Sequence, residues 1–216
     1  MPTSTPSTTS FNKTQWNQWL DQLAEKEYIY IDSFIDDSLY QKIQHYFHTL
    51  YSESEFTKAA IGPSKQQQIK SSIRGDFIYW LDREKDSEIS ALFVLLEELV
   101  DNLKQNLFLS IADYEFHFAL YPAETFYKKH LDQFQGQSNR LISVLIYLND
   151  HWQPGDGGEL KIYEPNGKEV LIEPLGNRLL MFKSDSVAHE VLLTHKSRKS
   201  LTGWLLQKPA SLNHLV

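Results

Sequence analysis

The sequence predicts an α+β chain, with helices gathered in its first half and strands in its second. Three observations carry this expectation. Apolar side chains recur at helical spacing in three long segments before residue 107, short apolar and aromatic runs follow one another from Tyr114 onward, and clusters of turn residues separate several of those runs. Residues 14–25 place Trp16, Trp19, Leu20 and Leu23 on one helical face, with Thr14 as the expected N-cap. Tyr28-Ile29-Tyr30-Ile31 has the composition of a short strand. Asp36 or Asp37 caps a second helix whose apolar stripe is Leu39, Ile43, Tyr46, Phe47 and Leu50. Residues 57–70 are polar, contain Gly62-Pro63-Ser64 and Gln66-Gln67-Gln68, and read as a mobile loop. Residues 77–81 are a strand candidate. Residues 87–106 form the longest helix, carrying Ile89, Leu92, Phe93, Leu96, Leu99, Val100 and Leu103.

Strand candidates then follow at residues 116–121, 126–130, 141–148, 159–163, 169–172, 178–182, 189–193 and 200–206. Gln153-Pro154-Gly155-Asp156-Gly157-Gly158, Pro165-Asn166-Gly167 and Pro174-Leu175-Gly176-Asn177 supply the turns. Eight short strands in this rhythm predict a double-sheet jelly roll, a cupin-like double-stranded β-helix, with the helices packed on the outside of one sheet. At 216 residues the chain is long enough for one full core. The expected organisation is a disordered Ser/Thr/Pro-rich tail over 1–12, one domain over 13–208 (helical support 13–110, jelly roll 111–208) and a short tail over 209–216.

A net charge of −7 and a pI near 5.6 argue against general affinity for nucleic acid or anionic membranes. The absence of cysteine excludes disulfides, zinc–thiolate sites, iron–sulfur clusters and thiol nucleophiles, and fits a reducing compartment. The N-terminal residues have neither a basic start nor an apolar stretch, so no secretory signal is expected. No apolar run approaches the roughly 20 residues that span a bilayer. A cytoplasmic protein is expected, and nothing in the sequence demands more than a monomer.

The most informative residues are His130, Asp132 and His189, with Arg198 following. His130 and Asp132 lie in Tyr127-Lys128-Lys129-His130-Leu131-Asp132, where a strand would put both side chains on one face. His189 opens a later strand, and a jelly roll brings distant strands to one mouth. Two imidazoles and a carboxylate can take one face of Fe(II) and leave the opposite positions for an oxo-acid cosubstrate and O2. Arg198 supplies a planar fork suited to a carboxylate, shares a strand face with Ser200 and Thr202, and can be assisted by the phenols of Tyr121 and Tyr147. Each residue alone has an ordinary reading, as a hydrogen-bonded core histidine or a surface ion-pair partner. Their order and β context together favour a metal site. His45 and His48 lack an acidic partner at ligand spacing and read as a helix face. Gly155-Asp156-Gly157-Gly158 lacks a Lys-Ser/Thr ending and reads as a hairpin loop, and Ser184-Asp185-Ser186 lacks a nucleophile elbow.

At this point the sequence resembles the prolyl hydroxylase branch of the Fe(II)/2-oxoglutarate oxygenases, the group of the animal hypoxia-inducible-factor prolyl hydroxylases and their bacterial relatives. The matching stretches are Ile73-Arg74-Gly75-Asp76 ahead of Trp80, Ala119-Leu120-Tyr121-Pro122, the His130–Asp132 segment, and Arg140 seven residues before Tyr147-Leu148-Asn149. They continue with Gly157-Gly158-Glu159-Leu160, Arg178-Leu179-Leu180-Met181-Phe182, His189-Glu190-Val191 and the Arg198 to Trp204 run. The resemblance implies that His130, Asp132 and His189 bind iron, and that Arg198 pairs with the far carboxylate of 2-oxoglutarate beside Tyr121, Tyr147 and Thr202. It implies a segment at about 56–73 that folds over substrate, with Arg74, Asp76, Trp80 and Arg140 near the entrance. It further implies hydroxylation of a prolyl residue in a protein loop, with elongation factor Tu as the prime substrate, succinate and CO2 as products, and ascorbate as a supporting reductant. Two other readings stand beside this one: a hydroxylase of a free amino acid or small metabolite, and a non-catalytic binding protein with a vestigial barrel.

Overall fold

The computed structural model describes residues 11–59, 73–133 and 139–208. The first helix, α1 (Lys13–Lys26), is capped by Asn12 rather than Thr14. Asn12 Oδ1 accepts from Gln15 N at 2.9 Å while Gln15 Oε1 accepts from Asn12 N at 3.1 Å. This reciprocal box satisfies two backbone donors at once, which is why the helix starts earlier than expected. Phe11 also departs from the expected tail: its ring packs against Trp16, Trp19 and Phe34 at centroid distances of 6.1, 4.8 and 5.2 Å. Three aromatic neighbours bury enough surface to hold it. The rest of that tail, residues 1–10, and the tail at 209–216 lie outside the described residues.

Strand β1 (Tyr28–Ile31) leads to α2 (Asp37–Ser52), where the Asp36 carboxylate accepts from Leu39 N at 3.0 Å. The stretch expected as a loop begins instead with a two-residue strand, β2 (Thr57–Lys58), paired with β3 (Phe77–Trp80). Its remainder, residues 60–72, lies outside the described residues, as does most of the segment expected to fold over substrate. A single 3-10 turn (Ser87–Ile89) opens α3 (Ser90–Leu107). The strands that follow are β4 (Ile111–Tyr121), β5 (Tyr127–His130), β6 (Arg140–Tyr147) and β7 (Leu160–Tyr163). Then come β8 (Glu169–Ile172), β9 (Leu179–Lys183), β10 (Ala188–Val191) and β11 (Arg198–Gln207).

Two antiparallel sheets result, in the orders β1-β9-β6-β11-β4-β3-β2 and β5-β10-β7-β8, which is the jelly roll the turn rhythm predicts. The apolar run of β6 shows why its central strands do not alternate apolar and polar residues. Ile142, Val144 and Ile146 pack outward into a cluster with Phe47 of α2 and Leu92 and Leu96 of α3. Leu145 and Tyr147 point the other way, onto Leu160, Ile162 and Ile172 of the smaller sheet. Successive side chains face opposite sides, and here both sides are covered. Each buried leucine of α3 contributes about 1.5–3 kcal/mol, far above the tenths that separate helix propensities, so packing on the sheet decides where that helix sits. Ser143 is the polar exception in the run from Leu141 to Ile146. No helix among the described residues is long and apolar enough to cross a membrane.

Candidate active site

The ladder between β5 and β10 sets His189 directly opposite His130, with a register shift immediately after. Asp132 does not share the strand with His130 as its spacing suggested. β10 begins at Ala188, so the edge strand β5 loses its partner just past His130 and ends there. The bend that follows still turns Asp132 inward. Its Oδ1 lies 3.4 Å from His130 Nε2 and 3.8 Å from His189 Nε2, and one ligand atom from each residue falls within 4.8 Å of the others.

The hydrogen bonds of the two rings fix their proton positions. His130 Nδ1 donates to Lys128 O at 2.7 Å and His189 Nδ1 to Val187 O at 3.0 Å. A carbonyl can only accept, so Nδ1 carries a proton in each ring, and a neutral ring turns its Nε2 lone pair toward Asp132. Burial pushes His189 down to about 4, against the pull of Asp132, so the ring is neutral near pH 7. Burial opposes ionisation of Asp132, but positive charge on the flanking imidazoles when they are protonated, together with a Ser143 hydrogen bond, outweighs it and holds the carboxyl far below its usual range. Two lone pairs and a carboxylate oxygen turned toward one another repel unless a cation lies between them. Two nitrogens and one oxygen from one side suit ferrous iron with positions left open opposite.

A second arrangement lies on the larger sheet. Arg198 sits opposite Tyr121 on β4, and Ser200 sits opposite Tyr147 on β6. The Arg198 guanidinium is buried, 5.2 Å from the Tyr121 ring and 4.9 Å from the Tyr147 ring, and its Nε donates to Gly158 O at 2.9 Å. Arg198 Nη2 and the Tyr147 hydroxyl have no hydrogen-bond partner among the described residues. Burial raises both tyrosines above their usual range, so they remain neutral donors. Thr202 Oγ1 lies 3.0 Å from Ser200 Oγ on the same face. A buried cationic donor and a phenol, both unsatisfied, suit a carboxylate. Gly158 makes the approach possible: at φ +78° a Cβ there would stand 3.0 Å from Arg198 Cδ. Its loop, expected to be a plain hairpin, therefore supports Arg198.

Residues 116–206 match the family model described as the 2OG-Fe(II) oxygenase superfamily. A prolyl-4-hydroxylase of Pseudomonas putida is 33% identical, with 90% of this chain and 100% of that chain covered at a TM-score of 0.82. The chain belongs to the 2OG-Fe(II) oxygenase superfamily. It is a 2-oxoglutarate-dependent dioxygenase that uses Fe(II). A Trichoplax adhaerens prolyl hydroxylase, solved in complex with a peptide fragment of the hypoxia-inducible-factor oxygen degradation domain, is 26% identical over 90% of each chain at a TM-score of 0.81. SnoN, an α-ketoglutarate-dependent epimerase of nogalamycin biosynthesis, shares the fold at 10% identity, covering 94% of this chain and 88% of that one at a TM-score of 0.68. A fold that also carries epimerisation does not by itself choose the reaction of this oxygenase.

The mouth of the oxygenase holds the remaining expected residues in altered company. Arg74 forms a two-pronged ion pair with Asp76, which is 1% exposed and so is turned to Arg74 rather than to an outside ligand. Arg74 also lies over the Tyr127 ring at 4.6 Å, and Tyr127 stacks on His130 at 3.7 Å. Arg140 pairs with Glu115 at 2.9 Å and lies 3.4 Å over the Trp204 ring. Trp80 is half-exposed, 4.8 Å from His117, and His117 stacks on Trp204 at 5.3 Å. The sequence reading missed His117, Trp204 and Ser143 as site residues. A histidine inside Phe116-His117-Phe118-Ala119-Leu120 and a serine inside an apolar strand were the available signals. Burial, reinforced by Arg74 and Arg140, pushes His117 down to about 3, and both His117 Nδ1 and Trp204 Nε1 lack partners among the described residues.

Proposed function

We propose that this oxygenase hydroxylates a prolyl residue in a protein substrate, converting 2-oxoglutarate to succinate and CO2. In this reading His130, Asp132 and His189 hold Fe(II). Arg198 and Tyr147 receive the far carboxylate of 2-oxoglutarate, with Tyr121 and Thr202 beside it. Arg74, Trp80 and Arg140 form the rim that a substrate meets, and Asp76 holds Arg74 in place. One observation carries the assignment: strands of one jelly roll bring three ligand atoms together and also bury Arg198 Nη2 and the Tyr147 hydroxyl, which have no hydrogen-bond partner among the described residues.

Bound iron, with the cosubstrate and O2, supplies the oxidation. The chain itself positions and excludes. The Nδ1 bonds to Lys128 O and Val187 O hold both imidazoles with Nε2 inward. Arg198 offers a buried positive charge where water would otherwise solvate an anion. Tyr127 and Phe182, packed on His130 and His189 at 3.7 and 4.5 Å, keep bulk water from the ligands. Trp80, the exposed member of the Trp80–His117–Trp204 aromatic stack, offers a ring face suited to proline, and Arg140, lying over Trp204, supports the stack from within.

The 33% identity with a prolyl-4-hydroxylase supports proline as the target, and likeness to a prolyl hydroxylase solved with a peptide supports a protein over a small metabolite. Elongation factor Tu is the first substrate to test. Purified enzyme with Fe(II), 2-oxoglutarate and ascorbate is incubated with that factor and with cell extract, and peptides are sequenced by mass spectrometry. One oxygen added to a proline is the expected result. Oxygen only on other residue types, or succinate formation stimulated only by free amino acids, would reject the assignment in favour of a small-molecule hydroxylase.

A further inference from the structure

Asp132 is the one expected ligand that no strand ladder holds, so something else must set its carboxylate. Gln133 N donates to Ser184 O at 2.9 Å, and Gln133 Nε2 donates to Arg140 O at 2.7 Å, which ties down the backbone. The side chain is held by Ser143, whose hydroxyl donates to Asp132 Oδ2 at 2.6 Å. A hydroxyl has one proton. The second contact of Ser143, 2.9 Å to Ser184 Oγ, must therefore be donated by Ser184. The result is a directed chain from Ser184 through Ser143 to Asp132. Both serines are fully buried. An apolar residue at position 143 would match its neighbours from Leu141 to Ile146, and a buried hydroxyl contributes only when it is bonded.

We propose that Ser143, oriented by Ser184, is a positioning residue that makes Asp132 a one-oxygen metal ligand. Occupying Oδ2 leaves Oδ1 alone facing the two Nε2 atoms, at 3.4 and 3.8 Å. A carboxylate giving both oxygens would use up a position that the two-histidine arrangement leaves open for cosubstrate. The same chain couples two ligands mechanically. Ser184 N donates to Leu141 O, and the turn that starts at Ser184 ends at Val187, whose carbonyl receives His189 Nδ1. The inference rests on the metal reading proposed above.

The test uses metal binding, not turnover. The full-length protein is stripped of metal and titrated with Mn(II), followed by electron paramagnetic resonance, and with Co(II), followed by its visible spectrum. Wild type is compared with Ser143→Ala, Ser143→Thr and Ser184→Ala, with circular dichroism and thermal melts as folding controls. Ser143→Ala is nearly isosteric; it is expected to weaken Mn(II) binding roughly 10- to 100-fold and to alter the Co(II) spectrum. Ser143→Thr keeps the hydroxyl and is expected to restore both, and Ser184→Ala is expected to fall between. Wild-type affinity and an unchanged Co(II) spectrum in folded Ser143→Ala would overturn the proposal and leave Ser143 as core filling. Wild type that binds neither ion would overturn the metal reading itself.

Discussion

Replacing Arg198 with methionine probes the cosubstrate pocket with two readouts that separate binding from folding. The substitution removes the Nε bond to Gly158 O, a charge-assisted bond that contributes about 1.5–3 kcal/mol. It also removes the approach to the rings of Tyr121 and Tyr147, each contributing about 1 kcal/mol. Against these losses, a guanidinium no longer has to be kept in a 3% exposed position with Nη2 unsatisfied, a burden of several kcal/mol. The opposing terms are similar in size, so without ligand the variant is expected within about 2 kcal/mol of wild type in urea. Binding has no such cancellation. Losing one member of a buried charge pair costs on the order of 2–5 kcal/mol, or roughly 30- to 5,000-fold in 2-oxoglutarate affinity. Calorimetric titration of the Mn(II)-loaded proteins measures that ratio. Thermal melts measure it again, because cosubstrate at 100 times its Kd stabilises wild type by about 2.7 kcal/mol. Unchanged 2-oxoglutarate affinity in a folded Arg198→Met variant would refute the argument that this buried fork anchors a carboxylate.

Three further outcomes follow from the structure. His117 is held neutral, with its folded pKa near 3, so protons taken up by the unfolded chain below its ordinary value near 6.5 are refused by the fold. Stability from this site is therefore present near pH 7 and falls as pH drops from 6.5 toward 3. The His117→Leu variant should lose about 1.6 kcal/mol less than wild type between pH 6.5 and 5 in urea melts, and parallel pH profiles would contradict this. Gly157→Ala places a Cβ 2.2 Å from Leu193 O at φ +72° and is expected to destabilise by about 3 kcal/mol or more; Gly155→Ala, at φ +100° with open space, should cost only about 1 kcal/mol. Equal losses in the two glycine variants would remove the role given to the close approach. Asn177→Ala deletes bonds of 2.7 Å from Ile35 N and 2.6 Å to Ile35 O, and should cost about 2–3 kcal/mol in the same melts, with an unchanged midpoint counting against the clasp.

The helices and strands were legible because each depends on local periodicity. Leu39, Ile43, Phe47 and Leu50 recur at the spacing that lets one helix face meet a sheet, and the turn clusters near Gly155, Gly167 and Gly176 divide the strands. Thr14 satisfies the simple cap rule, but the helix starts at Asn12 because the reciprocal bonds with Gln15 satisfy two donors where a threonine hydroxyl would satisfy one. The ordering of Phe11 could not be seen locally, since one of its partners, Phe34, belongs to a later segment. Among the site residues, His130, Asp132, His189 and Arg198 stood out by type and order. Ser143, His117 and Gly158 did not, because a serine, a lone histidine and a turn glycine each have commoner uses.

By itself, the sequence determined the α+β layout, the chemistry available to the ligating side chains and the lack of thiol alternatives, since these follow from residue type and short-range spacing. Only the tertiary structure decided that β5 runs out beyond His130, that Oδ2 of Asp132 is taken by Ser143, and that Gly158 yields room for Arg198. Those outcomes depend on ladder register and on which distant side chains share an interior. Such contacts form between residues that chain order keeps far apart, and no local pattern encodes them.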